Sequence, residues 1–132
     1  MYHINSTPRK GEFMYFEIDS SSPIYLQIIK NIKRRIIIGE LMPGDEIPSR
    51  REMASSLKVN LNTVQKAYKE MGDMELITTF GNHQSRITSN PEIIASLKAE
   101  MVNESLEKFI KDMKSINVEK EEIIKLIERF YD

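Results

Sequence analysis

The apolar residues between Arg50 and Met71 recur at the spacing of two short helices that face each other. The first stripe follows one face of a helix, and the second repeats at i, i+3, i+4 and i+7. A connection of three to four residues separates them, and the small side chain of Ala54 would let the helices cross closely. The pattern therefore predicts a helix-turn-helix. Its stripe residues are Met53, Ala54 and Leu57, followed by Val64, Ala67, Tyr68 and Met71.

An amphipathic helix is predicted ahead of this pair. Ser22 is placed to cap it, Pro23 stands in its first turn and Gly39 closes it, which is the usual asymmetry of proline at helix starts and glycine at helix ends. The segment Leu41–Pro48 contains two prolines and a glycine, so it is expected to be a connecting loop. The apolar stripe of the helix consists of Tyr25, Ile28, Ile29, Ile32 and Ile36.

The segment Ser49–Glu52 has the S-x-x-E pattern of a capping box, which predicts that the first helix of the pair starts at Ser49. The free amides and the dipole at such a helix start favour anions. Arg50 and Arg51 lie in the same turn, and each could neutralise a phosphate. A salt bridge to a neighbouring acid is an equally good alternative for Arg50 and a weaker one for Arg51.

Two short strands, Leu76–Phe80 and Gln84–Thr88, are predicted around the turn-like Gly81–His83. A hairpin directly behind a helix-turn-helix forms a wing. The preceding segment Glu70–Glu75 is ambiguous, because Gly72 weakens a helix that the apolar spacing would otherwise continue.

Two further helices are predicted at the end of the sequence. Asn90 and Pro91 give a start signal for a helix that runs to about Ser115, and Asn117 is expected to cap a final helix. Two helices of this size cannot form an independent core, so they must pack on the preceding domain or on a second subunit. Their apolar residues are Ile94, Leu97, Met101, Val102, Leu106, Phe109, Ile110 and Met113, then Ile123, Ile124, Ile127, Phe130 and Tyr131.

These elements predict a mainly α fold of the α+β class. Residues 1–15 are expected to be a flexible N-terminal arm, residues 16–89 a winged helix-turn-helix domain, and residues 90–132 a small two-helix dimerisation domain. A length of 132 residues with 40% hydrophobic residues allows one modest core and no large catalytic domain. The sequence has no cysteine, no apolar signal segment and no run long enough for a membrane span, which predicts a cytoplasmic protein without membrane contact.

The net charge of −1 conceals an uneven distribution of charge along the sequence. Residues 30–69 contain nine Lys or Arg against four acids, whereas residues 90–132 contain seven against ten. A polyanion would therefore be attracted to the middle of the chain and repelled by its end. Solvated helices also carry such charges, so the asymmetry alone favours nucleic acid only weakly.

Three segments resemble the GntR family of bacterial transcription regulators. They are PIYLQI at 23–28, GELMPGDEIPSRREMA at 39–54 and NLNTVQKAY at 60–68, in the family's order and at its separations. The N-x-N-T-V segment and the short two-helix tail are most similar to the YtrA subfamily. Another winged-helix family, PadR, is the nearer alternative, but the G-D-x-I-P-S segment favours GntR.

The sequence departs from the family pattern at three places. Lys58 and Glu75 stand where glycine is usual, and Lys58 would cost roughly 1 kcal/mol if its position requires a left-handed backbone. The usual wing motif G-x-G-T-F-V becomes Asn82–Ile87, with neither glycine. The helix pair therefore carries the resemblance better than the wing does.

The resemblance implies that the second helix of the pair is a recognition helix that enters the major groove of DNA. Its polar residues could contact base edges, since Asn and Gln suit adenine whereas Lys suits guanine or phosphate. The alternative is a solvated polar face on which Asn62 only caps the helix. Arg51 occupies the arginine position of the family's P-S-x-R-E segment, where relatives contact DNA, and Arg50 lies beside it. His83, at the wing tip, could touch the minor groove or be a plain turn residue. The candidate helix residues are Asn60, Asn62, Thr63, Gln65, Lys66 and Lys69.

The protein is accordingly expected to be a homodimeric regulator, and specifically a repressor, that binds a palindromic operator in double-stranded DNA. No cofactor and no metal site are expected, because the two histidines, His3 and His83, are distant and have no cysteine partner. The sequence does not indicate whether a small-molecule effector binds.

One alternative function is that of a winged-helix protein–protein adaptor without specific DNA binding, which would not need the basic surplus of residues 30–69. A small enzyme is another, but no nucleophile with a neighbouring base is apparent.

Overall fold

The computed structural model of the protein describes residues 15–81 and 84–132. This part of the chain is mainly helical with one small sheet, which confirms the predicted α+β class. It forms two compact units, one ending at Leu97 and one comprising Lys98–Asp132. The elements are, in order, α1 (Ile24–Ile37), β1 (Glu46–Ile47), α2 (Arg50–Leu57), α3 (Leu61–Asp73), β2 (Ile77–Thr79), β3 (Ser85–Ile87), α4 (Pro91–Ser115) and α5 (Lys120–Phe130).

The core of the first unit is built from the predicted stripes. All seven apolar residues of the helix pair are buried, and α1 adds four isoleucines to the same cluster. Helix α3 packs against both α1 and α2, so its apolar face is fixed and its polar face is turned outward. The α1 residues in the core are Ile28, Ile29, Ile32 and Ile36.

The three strands form an antiparallel sheet in the order β1-β3-β2. The predicted hairpin strands are present, although shorter than expected. Strand β1 lies in the segment that the sequence predicted to be a connecting loop, and this part of the prediction is wrong. Its position depends on long-range partners, since the amide of Gly44 donates to the carbonyl of Ile87 at 2.9 Å and the amide of Ile87 donates to Asp45 at 2.8 Å.

Two predicted helix caps are also wrong. Pro23 rather than Ser22 is the N-cap of α1, and its carbonyl accepts the amides of Leu26 and Gln27. Glu119 rather than Asn117 is the N-cap of α5. Asn117 instead has a φ of 60°, a left-handed conformation that asparagine tolerates, and it lies in the turn between α4 and α5.

The second unit contains residues 98–115 of α4 and all of α5. None of its residues, Lys98–Asp132, is buried. Residues 1–14 of the predicted arm lie outside the described residues. Among the helices that the structure describes, none has the length and apolar character of a membrane span.

Candidate nucleic-acid interface

The start of α2 is held by the predicted capping box. The amide of Glu52 donates to Ser49 Oγ at 3.1 Å, and the amide of Ser49 donates to Glu52 Oε1 at 2.9 Å. These bonds satisfy two backbone donors that a helix start would otherwise leave open. The first turn, which carries Arg50 and Arg51, therefore has a defined backbone.

The turn between α2 and α3 depends on a left-handed residue. Lys58 has φ 58° and ψ 47°, and the amide of Val59 donates to the carbonyl of Ala54 at 3.1 Å. Glu75, after α3, has a φ of 63°. Both positions where the family usually carries glycine thus adopt a conformation that glycine enters at no steric cost. A lysine in this conformation carries a steric cost because it has a Cβ atom. The turn forms nevertheless, and α3 follows directly.

The N-terminus of α3 is capped by one of the predicted base-contact residues. Asn60 is the N-cap, and its Oδ1 accepts the amide of Asn62 at 2.7 Å. The side-chain oxygen of Asn60 is therefore engaged in the helix. Asn62, Gln65, Lys66 and Lys69 are exposed on the face of α3 opposite its buried stripe, whereas Thr63 is half-buried at the edge of that face.

Tyr68 links α3 to the start of α2. Its side chain is buried, and its hydroxyl donates to the carbonyl oxygen of Pro48 at 2.5 Å. The guanidinium carbon of Arg50 lies 5.2 Å from the centre of the Tyr68 ring, within the range of a cation–π contact. Burial raises the pKa of Tyr68 above its ordinary value. The tyrosine is thus a neutral hydrogen-bond donor that joins the two helices.

The two adjacent arginines have different environments. Arg50 is half-buried against Tyr68, so its principal contact is a ring rather than the acid that the salt-bridge alternative required. Arg51 is exposed and makes no hydrogen bond or ion pair within the described part of the chain. Arg51 is therefore the cation of this turn that is open to a phosphate.

The two lysines of α3 are both in contact with other side chains. The Lys66 ammonium lies 4.2 Å from the centre of the Tyr25 ring on α1. Lys69 forms an exposed ion pair with Asp73 at 3.1 Å. The i, i+4 spacing of Lys69 and Asp73 could have revealed their pairing from the sequence, but no local pattern connects Lys66 with Tyr25.

The base of the wing is held by Arg86 on the central strand β3. Its guanidinium donates to the carbonyl of Gly44 at 3.1 Å and to Gln84 Oε1 at 2.9 Å. Arg86 therefore ties the hairpin to the loop before β1. The candidate residue His83, together with Asn82, lies outside the described residues. Within the described ranges, no cluster of His, Cys, Asp or Glu could hold a metal ion.

Comparisons with known proteins agree with this geometry. The sequence model described as "Bacterial regulatory proteins, gntR family" matches residues 24–85. The HTH-type transcriptional regulator YhcF of Bacillus subtilis, described as uncharacterized, is 42% identical over 114 residues, which are 86% of this chain and 94% of YhcF. The HTH-type transcriptional repressor YtrA of the same species is 38% identical over 105 residues, which are 79% of this chain and 81% of YtrA.

A similar structure is known for a GntR family transcriptional regulator from Listeria monocytogenes. It superposes with a TM-score of 0.78 at 34% identity, over 85% of this chain and 98% of its own. These similarities confirm the predicted family, the likeness to YtrA and the winged-helix fold, and the relatives are regulators rather than enzymes, as predicted. The chain belongs to the GntR family of bacterial regulatory proteins and is a helix-turn-helix transcriptional regulator.

Proposed function

We propose that this protein is a transcriptional repressor that binds a palindromic operator as a homodimer, with α3 of each subunit in the major groove. The observation that carries this proposal is the exposed polar face of α3 beside the exposed Arg51, on helices that a shared core holds rigidly together. The recognition helix of a helix-turn-helix makes its base contacts from the N-terminal residues. The relative YtrA is named a transcriptional repressor, which supports repression rather than activation.

The candidate contacts take different roles in this proposal. Asn62 and Gln65 contact base edges, since both amides are exposed on α3, and Thr63 contributes from the edge of the same face. Arg51 binds a phosphate and positions the protein without selecting sequence. Lys69 supplies further positive charge. Asn60, Arg50 and Lys66 act mainly by fixing helix geometry, because each is engaged within the protein; His83 stays a prediction for the wing.

The homodimer is supported by the apolar surface of the second unit. Helices α4 and α5 border a groove of about 350 Å³ lined by apolar residues such as Phe109, Ile127 and Phe130. Phe130 is 69% exposed and Tyr131 is 85% exposed. Large contiguous apolar surfaces on soluble proteins mark interaction sites. A second copy of the chain would cover this surface, and the two-fold symmetry of the dimer would match a palindromic operator.

A gel-shift assay against the DNA upstream of the protein's own gene tests the DNA-binding part of the proposal. The wild type should prefer this DNA to a random duplex at moderate salt, and Asn62→Ala combined with Gln65→Ala should remove the preference. Asn103→Ala, which truncates an exposed amide on α4, is the matched control and should bind like the wild type. Equal binding of the wild type to both duplexes would overturn the proposal and favour the adaptor.

In vitro transcription from the same promoter separates a repressor from an activator. Addition of the protein should reduce the yield of transcript, and the Asn62→Ala, Gln65→Ala protein should not. An increase in transcript with the wild-type protein would contradict repression while leaving sequence-specific binding intact.

A further inference from the structure

We infer that α3 selects A·T base pairs, which it contacts through the side-chain amides of Asn62 and Gln65; this inference rests on the proposed function. The two residues lie three positions apart on the exposed face of α3. Residues at this spacing are neighbours on a helix surface, so their amides can reach the same or adjacent base pairs. The identity of those base pairs follows from which donors and acceptors are available on this face.

Both amide groups are uncommitted. Neither the Asn62 nor the Gln65 side chain makes a hydrogen bond within the described part of the chain. Each therefore offers a carbonyl acceptor and an NH₂ donor together. Adenine presents the complementary pair in the major groove, with N7 as acceptor and the N6 amino group as donor. The Asn60 side chain is not equivalent, because its oxygen already accepts the amide of Asn62.

The residues of this face that suit guanine are Lys66 and Lys69, and both are engaged in other contacts. Guanine presents two acceptors, N7 and O6, and is contacted most often by arginine or lysine. The sequence of α3, LNTVQKAYKEMGD, contains no arginine. The Lys66 ammonium lies over the Tyr25 ring of α1, 4.2 Å from its centre. Lys69 is directed to Asp73, one turn closer to the C-terminus of α3.

The contacts of Lys66 and Lys69 with other side chains make these lysines less available to bases. Asp73 adds a carboxylate near Lys69, and a surface ion pair of this kind is weak but still competes with a base contact. Lys66 is exposed as well, and its contact with the Tyr25 ring at 4.2 Å likewise competes with a base contact. The neutral amides are thus the groups best placed to select bases. Arg51 lies on α2 and, as a phosphate contact, does not select bases.

Selection from a library of duplexes with a randomised operator tests the inference. Positions contacted by α3 are identified as those whose base preference weakens in Asn62→Ala or Gln65→Ala. In the wild-type selection these positions should be A·T, and exchanging one of them for G·C should weaken binding roughly ten-fold or more. Gln65→Arg should convert its position to a preference for G·C, because a guanidinium donates twice and accepts nothing.

The controls separate this inference from the proposed function. Glu104→Gln changes the net charge by the same amount as Gln65→Arg, at an exposed position on α4, and should leave the base preference unchanged. If the positions that respond to Asn62 or Gln65 are G·C in the wild-type selection, or if neither alanine variant changes any position, the inference is overturned while specific DNA binding stands. If the wild-type protein enriches no sequence from the library, both the inference and the proposed specific DNA binding are overturned.

Discussion

The Tyr68 hydroxyl donates a hydrogen bond of 2.5 Å to the carbonyl oxygen of Pro48, which precedes the N-cap of α2. Tyr68 belongs to the apolar stripe of α3, so one side chain serves the core and also fixes the start of the neighbouring helix. Arg51 lies in the first turn of that helix. The geometry between the exposed amides of α3 and the exposed cation of α2 thus depends on a bond between residues twenty positions apart.

Removal of this hydroxyl should destabilise the protein. Tyr68→Phe leaves the buried Pro48 carbonyl without its partner, and an unsatisfied buried acceptor costs about 1–3 kcal/mol. We expect the free energy of unfolding, measured by urea denaturation, to fall within that range. Tyr131→Phe, at a tyrosine that is 85% exposed, should have no effect. Equal stability of the two variants would contradict a role for the Tyr68 bond.

The same hydroxyl should make stability depend on alkaline pH. Burial raises the pKa of Tyr68 in the folded protein above the ordinary value of 10.0, so the unfolded chain loses this proton first. The stabilising contribution is complete below pH 10.0 and declines as the pH rises above it. The difference in unfolding free energy between wild type and Tyr68→Phe should therefore shrink above that pH. A difference that stays constant would show that Tyr68 ionises equally in both states.

Replacement of Lys58 by glycine should stabilise the turn of the helix pair. Lys58 has a φ of 58°, and a left-handed conformation costs a residue with a Cβ atom roughly 1–2 kcal/mol. Part of this gain is offset by the greater freedom of glycine in the unfolded chain, so we expect a net gain of up to about 1 kcal/mol in urea denaturation. Lys111→Gly, in the interior of α4, should lose about 1 kcal/mol. A loss at both positions would contradict the interpretation of the turn.

Local patterns predicted those parts of the fold whose cause is local. The S-x-x-E segment and the stripes of the helix pair involve residues within a few positions of each other, and both were confirmed. Strand β1 could not be predicted, because two residues carry no periodicity and the strand exists only through its pairing with β3. Ser22 is not the cap because the helix begins one position later than predicted, where Pro23 has a ψ of 140° outside the helical region and makes no side-chain cap hydrogen bond.

The candidate site also has a part that local sequence patterns predict and a part that they do not. The outward face of α3 follows from helical periodicity, so Asn62 and Gln65 could be chosen from the sequence alone. The contacts of Arg50 with Tyr68 and of Lys66 with Tyr25 join residues that are distant in sequence. Only the packed helices show that these two cations are held by rings. The sequence therefore predicted which residues share the candidate face but not which of them are engaged in other contacts.

Arg50 and Arg51 should respond differently to salt in DNA binding. Each phosphate contact contributes about 0.9 to the slope of log K against log salt concentration. Arg51→Ala should reduce the slope by about that amount and leave urea denaturation unchanged, since Arg51 is exposed. Arg50→Ala should lower the unfolding free energy by about 0.5–1 kcal/mol through loss of the Tyr68 contact, with a smaller change in slope. The reverse order of the two slopes would contradict the assignment of Arg51 to phosphate.

Substitution of the apolar groove should dissociate the proposed dimer. Phe109 and Ile127 both line the groove and are 38% and 47% exposed, so Phe109→Ser with Ile127→Ser removes apolar surface that a single subunit leaves exposed. Light scattering should show the monomer mass for this variant, and the dimer mass for a control with Lys111→Ser and Lys125→Ser. Truncation at Ser89 would be a poorer test, because Leu97 on α4 is buried in the core of the first unit. A groove variant that keeps the dimer mass would show that another surface joins the subunits.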